Sequence, residues 1–237
     1  MTTRRVNLNT ESVDNYLKAI FSLGGIEEER VTSTALAERL GVAPASITNM
    51  LQKLASASPP LVQYERHKGV RLSFAGRRRA LEIVRHHRLL EAFLYEVLNY
   101  PIEEVHDEAE RLEHFISERL EERIDAKLGR PRFDPHGHCI PALDGEMPKQ
   151  NSMLLTSAGE GENLYVDSIS DRDASILKLL KAKGITPGTR LQVKRRNGDG
   201  TYAVSVGGSS RALNISREMA GAIRIHCVKA SLAQCTG

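Results

Sequence analysis

Apolar positions repeat with the period of a helix over the first half of this chain and with the period of a strand over its last third. Val13, Tyr16, Leu17, Ile20, Phe21 and Leu23 lie at helical spacing behind the helix start Ser12-Val13-Asp14, and Gly24-Gly25 closes the run. Thr32 or Ser33 caps a second helix carrying Leu36, Ala37 and Leu40. Gly41-Val42 turns the chain into a third, A-P-A-S-I-T-N-M-L-Q-K-L, with Pro44 tolerated in its first turn. Ser58-Pro59-Pro60 breaks the pattern. Leu61–Tyr64 and Val70–Phe74 then alternate on either side of H-K-G, as two short strands do. A long helix is predicted from residue 76, with a stripe of Leu81, Val84, Leu89, Leu90, Phe93, Leu94 and Val97, and Asn99-Tyr100-Pro101 ends it. Further helices follow over 102–115 and 117–128. The apolar surplus on these helices predicts packing across a two-fold axis. Pro, Gly and charge dominate from Gly129 to residue 152, so a linker is expected there. Beyond it the period becomes two. Strands are expected at 153–155, 162–166, 190–193, 202–206 and 222–225, with a helix over 171–183, closing into a small five-stranded barrel.

Charge sharpens this division. The net charge of +3 over 237 residues conceals a head (1–79) at +5, a middle (80–130) at −6 and a tail (131–237) at +4. A basic head suits a polyanion, and an acidic middle suits cations. No run of 18 apolar residues occurs, the N-terminus lacks a signal-like apolar region, and Cys139, Cys227 and Cys235 form no C-x-x-C pair. A reducing cytoplasm, with no membrane partner, is the expectation.

The third helix follows helix-turn-helix patterning. Two ordinary core helices would explain its apolar positions equally well. They do not explain its outward face, where Ala45, Ser46, Thr48, Asn49 and Gln52 are short and carry no carboxylate. Such side chains approach base edges and phosphates without repulsion. The strand pair after it forms a wing bearing Arg66, His67, Lys68 and Arg71, with Arg77-Arg78-Arg79 behind; a cationic rim of this kind suits phosphate.

In the middle, H-D-E-A-E-R-L-E-H places His106, Glu110, Glu113 and His114 at about 0, 40, 340 and 80° around a helix. Four metal-competent side chains share one stripe, although a charged, solvated face gives the same pattern. His87 and Glu91, four apart, form a second donor pair or an ordinary surface pair. His136, His138 and Cys139 offer metal donors inside the linker, where the short span reads more naturally as connection.

D-N-Y-L-K-A-I, L-A-E-R-L-G-V-A-P-A-S-I-T-N-M-L-Q-K-L, H-R-L-L-E-A-F-L and V-H-D-E-A-E-R-L-E-H, in this order and spacing, resemble the diphtheria toxin repressor family, most closely its manganese-responsive branch. The resemblance covers nearly the whole chain. It implies a mainly α fold with β: a winged helix-turn-helix (1–76), a helical metal-binding and dimerisation domain (77–130), a linker (131–152) and an SH3-like barrel (153–237). It also implies a homodimer on double-stranded operator DNA, repressing metal-uptake genes when Mn²⁺ or Fe²⁺ is bound, and no small-molecule substrate. The family's primary metal site falls on Glu110, Glu113 and His114 with a first-helix ligand, here Asn15 or Asp14. Its ancillary site falls on His87, Glu91 and His106, joined by Asp171 or Asp173 from the third domain. Glu at 110 is a harder donor than the cysteine common in the iron-responsive branch and suits Mn²⁺. Lys18 stands where the binuclear manganese arrangement has a carboxylate, so separated sites are expected rather than a tight pair. Two rival readings are a metal-dependent hydrolase and a metal-independent DNA-binding module whose acidic middle binds a protein partner. H-E-x-x-H is absent, and no nucleophile or oxyanion group accompanies the cluster.

Overall fold

Gly41 shows how closely local sequence dictates the head. Its φ of 64° is left-handed, a conformation glycine adopts without cost, and it ends helix α2 (Ser33–Leu40). Thr32, rather than Ser33, caps that helix by accepting from Ala35 N at 3.1 Å. Together with α1 (Glu11–Gly24) and α3 (Pro44–Ala55, with Pro44 in its first turn), α2 buries Leu17, Ile20, Leu36, Ile47, Leu51 and Leu54 in one core. Strands β1 (Val62–Glu65) and β2 (Gly69–Leu72) pair antiparallel as the predicted wing. Gly69 is required where it stands: an added Cβ would come within 2.5 Å of Val31 O.

These coordinates are a computed structural model describing residues 11–148 and 151–227; the N-terminal decapeptide and Cys235 lie outside the described residues. The chain divides into two compact units. The first holds Met1–His87, Arg111–Glu121 and Ile140–Lys149; the second holds Arg88–Glu110, Glu122–Cys139 and Gln150–Gly237. Three of the boundaries fall inside α4 (Phe74–Glu96), α5 (Val105–Leu112) and α6 (Glu118–Lys127), not at helix ends, and the other two fall between α6 and the first strand of the tail.

The second unit carries a six-stranded antiparallel sheet of order β3-β8-β4-β5-β6-β7. Its strands are β3 (Met153–Leu154), β4 (Asn163–Ile169), β5 (Arg190–Arg196), β6 (Tyr202–Val206), β7 (Ala212–Ile215) and β8 (Ile223–Cys227). Helices α7 (Ala174–Ala182) and α8 (Arg217–Gly221) accompany it. This corrects the expected five-stranded barrel in two respects. Strand β7 adds a sixth member, hard to see in sequence because only Ile215 of its four residues is buried. The sheet is also open: β3, only two residues long, and β7 are its edges and do not pair with each other, as barrel closure requires. Leu164, Val166, Leu191, Val193, Val204, Ile223 and Ile225 fill the core beneath it.

Among the described residues the expected linker forms no helix or strand, yet it is not loose. Phe133 bridges to Cys139, His136 O accepts from Ile169 N at 2.9 Å, and His136 is fully buried. Gly137, at φ 87°, lies so close to β4 that a Cβ would meet Asp167 O at 2.0 Å. The register of β4 against β8 shifts at this point, between Val166 and Ser168.

Candidate metal centres and nucleic-acid interface

The first donor cluster, Glu113 and His114 with their partners, belongs to the first unit, and Glu110 ends a segment of the second. Helix α5 ends at Leu112, and Glu113 and His114 occupy the turn behind it, with half-buried Glu110 three residues before Glu113. Glu113 is fully buried. Lys18 Nζ donates to its two oxygens at 2.7 and 2.9 Å, and His87 Nδ1 lies 2.6 Å from Oε2. Burial pushes the Glu113 carboxyl up, but His87 and Lys18 outweigh it and hold the group below the usual carboxylate range. His114 Nε2 lies 3.0 Å from Asn15 Oδ1 and 3.4 Å from Glu113 Oε1. Asp14 is turned to Arg79, which donates to Oδ1 at 2.6 Å, and its other oxygen stays 3.6 Å from His114 Nδ1. Asn15 thus makes the closer approach from α1 to His114. Behind this cluster, Glu121 accepts from Arg85 and meets His86 Nε2 at 2.9 Å, while His86 Nδ1 lies 3.2 Å from Glu113 O.

The second cluster belongs to the second unit. Glu91, fully buried, lies one turn after His87 on α4. His106 Nδ1 stands 3.2 Å from Glu91 Oε1 and 3.5 Å from Asp171 Oδ2. Asp173 is occupied elsewhere: its carboxylate caps α7, accepting from Ser175 N and Ile176 N at 2.9 and 3.1 Å. Three further donors come from D-P-H-G-H. Asp134, His136 and His138 offer ligand atoms within 4.8 Å of one another. His138 Nδ1 is 3.3 Å from Asp134 Oδ2 and 3.8 Å from Asp171 Oδ2, and His136 Nδ1 is 3.6 Å from Glu91 Oε1. The span expected to serve as connection thus brings three donor side chains together. Its clue was donors at alternate positions 134, 136 and 138, not the H-C pair. Cys139 is a buried thiol whose pKa burial raises, outside this group.

His136 is oriented for ligation. Its Nε2 lies 3.1 Å from Ile102 O, an acceptor only, so in the neutral ring Nε2 carries the proton and the Nδ1 lone pair faces the carboxylates. That Nδ1 is buried without a hydrogen bond. Burial opposes a charge on this ring. The negative charge of Glu91, Asp134 and Asp171 wins, raising its pKa to about 9. Both clusters offer imidazole nitrogen and carboxylate oxygen without thiolate, a donor set that fits Mn²⁺ or Fe²⁺.

Along α3, Ala45, Ser46, Asn49 and Gln52 are exposed and Thr48 is half-buried, while Ile47, Leu51 and Leu54 face the core. Arg66, Lys68 and Arg71 are exposed on the wing; Lys68 pairs with Glu65, and Arg71 donates to Gln63 at 2.8 Å. Arg77 and Arg79 are committed to Glu28 and Asp14, which leaves exposed Arg78 as the outward member of that triplet.

Three family models match the chain in order. The iron dependent repressor N-terminal DNA binding domain covers residues 9–70, the iron dependent repressor metal binding and dimerisation domain covers 74–142, and the FeoA domain covers 153–227. The iron-dependent repressor IdeR of Mycobacterium tuberculosis is 31% identical over 237 residues, spanning 94% of this chain and 100% of that protein. The diphtheria toxin repressor of Corynebacterium jeikeium is 32% identical over 186 residues, 78% of this chain and 72% of that one. Among solved structures, a manganese-dependent transcriptional repressor in complex with manganese superposes with a TM-score of 0.83 at 39% identity, covering 91% of this chain and 99% of the other. ScaR with bound Zn²⁺ gives 0.76 at 28%, covering 91% and 99%. No helix among the described residues is long and apolar enough to cross a membrane. With a DNA-binding head, a metal-binding middle and a FeoA tail in this order, the chain belongs to the diphtheria toxin repressor family of metal-dependent transcriptional regulators, on its manganese-responsive branch.

Proposed function

We propose that this chain binds double-stranded operator DNA as a cytoplasmic homodimer and represses metal-uptake genes when Mn²⁺, or Fe²⁺, is bound. One observation carries the reading: α1, part of the DNA-binding head, reaches the donors behind α5, with Asn15 Oδ1 3.0 Å from His114 and Lys18 on Glu113. These donors would hold a divalent cation, which would supply a positive charge shared between the head and the turn behind α5. Asn15 would contribute a neutral oxygen from the head, Glu113 a carboxylate and His114 an imidazole. Holding α1 to that turn fixes how α3 is presented. Two copies of α3 in a dimer must meet successive major grooves about 34 Å apart. To swing such a head from 1:99 to 99:1, the cation must favour the competent arrangement by about 5.5 kcal/mol.

We assign Glu91, His106, His136, His138 and Asp171 to a second site, and exposed Ala45, Ser46, Asn49 and Gln52 with half-buried Thr48 to base and phosphate contact. Residues 1–76, 77–130 and 153–237 then serve reading, metal-binding with dimerisation, and support of the second site through Asp171, with 131–152 supplying His136 and His138. The test is fluorescence anisotropy on a palindromic duplex selected from a random pool by the Mn²⁺-loaded protein. Mn²⁺ titration of the wild type should raise DNA affinity, and Glu113→Ala or His114→Ala should abolish the response. Metal-independent binding that both variants preserve would end the proposal.

A further inference from the structure

Lys18 sits inside the ring of donors that the first site needs. Its side chain is 16% exposed and its Nζ donates to both oxygens of Glu113, whose side chain is fully buried. The same carboxylate faces His87 Nδ1 at 2.6 Å and His114 Nε2 at 3.4 Å. Asn15, one turn earlier on the same helix, reaches the same His114. An ammonium therefore already lies where α1 and the turn behind α5 converge, and it spans both oxygens of the buried acid. A buried carboxylate needs a cationic or hydrogen-bonding partner, and here the protein carries one in its own sequence. Lone pairs directed at an ammonium are not available to a metal, and two cations a few ångströms apart in a buried site repel strongly.

We propose that Lys18 is a resident cation that a divalent ion must displace from Glu113, so that it sets the affinity threshold of the first site and bars a second cation beside it. This rests on the metal-dependent reading above. The flexible four-carbon stem makes the exchange feasible: Nζ can swing toward solvent without moving α1, because the side chain is already partly exposed. The chain would then hold Glu113 in place while metal-free and respond only once the free cation concentration outcompetes an internal ligand of fixed effective concentration.

Mn²⁺ binding to the full-length protein, followed by the electron paramagnetic resonance of free Mn²⁺, tests this. Lys18→Met keeps the length and removes the charge; Lys18→Gln keeps a hydrogen-bond donor for Glu113 should the methionine variant fold poorly; Lys18→Arg keeps the charge. The neutral variants should bind Mn²⁺ about tenfold more tightly or better at the site that Glu113→Gln removes, while Lys18→Arg stays near wild type. Their melting temperatures without metal should fall, and saturating Mn²⁺ should raise them by more than it raises the wild type. Unchanged or weaker affinity in both neutral variants would make Lys18 a structural prop and overturn the inference while leaving the site intact. If Glu113→Gln leaves Mn²⁺ stoichiometry unchanged, the site itself is misassigned and the inference falls with it.

Discussion

At the first cluster one buried carboxylate, Glu113, rests against the Lys18 ammonium and the His87 imidazole. At the second, Glu91, Asp134 and Asp171 rest against His106, His136 and His138. The first cluster is thus balanced by one imidazole and one ammonium, and the second by imidazoles, of which His136 has its pKa raised to about 9 by the carboxylates around it. A cation entering the first must move a side chain; a cation entering the second must expel protons. Placement follows the same division. Lys18 comes from the helix that supports the reading head, and the imidazoles of 136 and 138 come from a segment pinned to the sheet.

The sharpest way to break this comparison is to remove the central carboxylate of the second cluster. Glu91→Gln keeps the volume and deletes the charge that His106 and His136 face. Taking one member from a buried ionic cluster costs about 3–5 kcal/mol because the remaining charges lose their partner. Urea unfolding with chelator present should show that loss. A variant as stable as the wild type would mean that the imidazoles do not offset these carboxylates.

A somewhat smaller effect is expected from pH. His136 has a pKa of about 9 in the folded chain, against about 6.5 in an unfolded one. A raised folded value means that this histidine's contribution is fully present below about pH 6.5 and is lost as pH rises through 9, amounting to about 3 kcal/mol. The unfolding free energy of the chelated protein should therefore decline between these limits, and Glu91→Gln should flatten the decline. A wild-type profile flat across that window would refute proton balancing at the second cluster.

The head was almost wholly legible in sequence because its signals are local. Thr32 as a cap, Gly41 as a left-handed stop, Pro44 in a first turn and a strand pair about H-K-G need no tertiary knowledge. The helical stripe expected to carry Glu113 and His114 is not kept: α5 ends at Leu112 and the two residues occupy the turn behind it. What escaped depends on contacts distant in sequence. Nothing local says that D-P-H-G-H reaches Glu91, more than forty residues earlier, or that Gly137 lets it lie against Asp167 O. A Pro/Gly-rich run reads as a linker whether it is free or pinned. Closure of the tail sheet was equally out of reach, since strand count and edge pairing are properties of the whole sheet rather than of any strand.

The smallest test separates two aspartates that the sequence left equivalent. Asp171 Oδ2 faces His106 and His138, and its carboxyl is held below the usual range: burial pushes it up, but the neighbouring imidazoles, His138 foremost, outweigh that. Asp173, two residues on, accepts from two backbone N–H groups at the start of α7. Asp173→Ala should therefore cost about 1 kcal/mol, the usual value of an N-cap, and leave Mn²⁺ affinity at the second site unaltered. Asp173→Asn, which still caps, should restore most of that stability. Asp171→Asn should do the reverse, weakening Mn²⁺ binding while α7 keeps its cap. If Asp173→Ala instead lowered Mn²⁺ affinity with its helix intact, Asp173 rather than Asp171 would serve the cluster, and the balance of three carboxylates against three imidazoles would have to be redrawn.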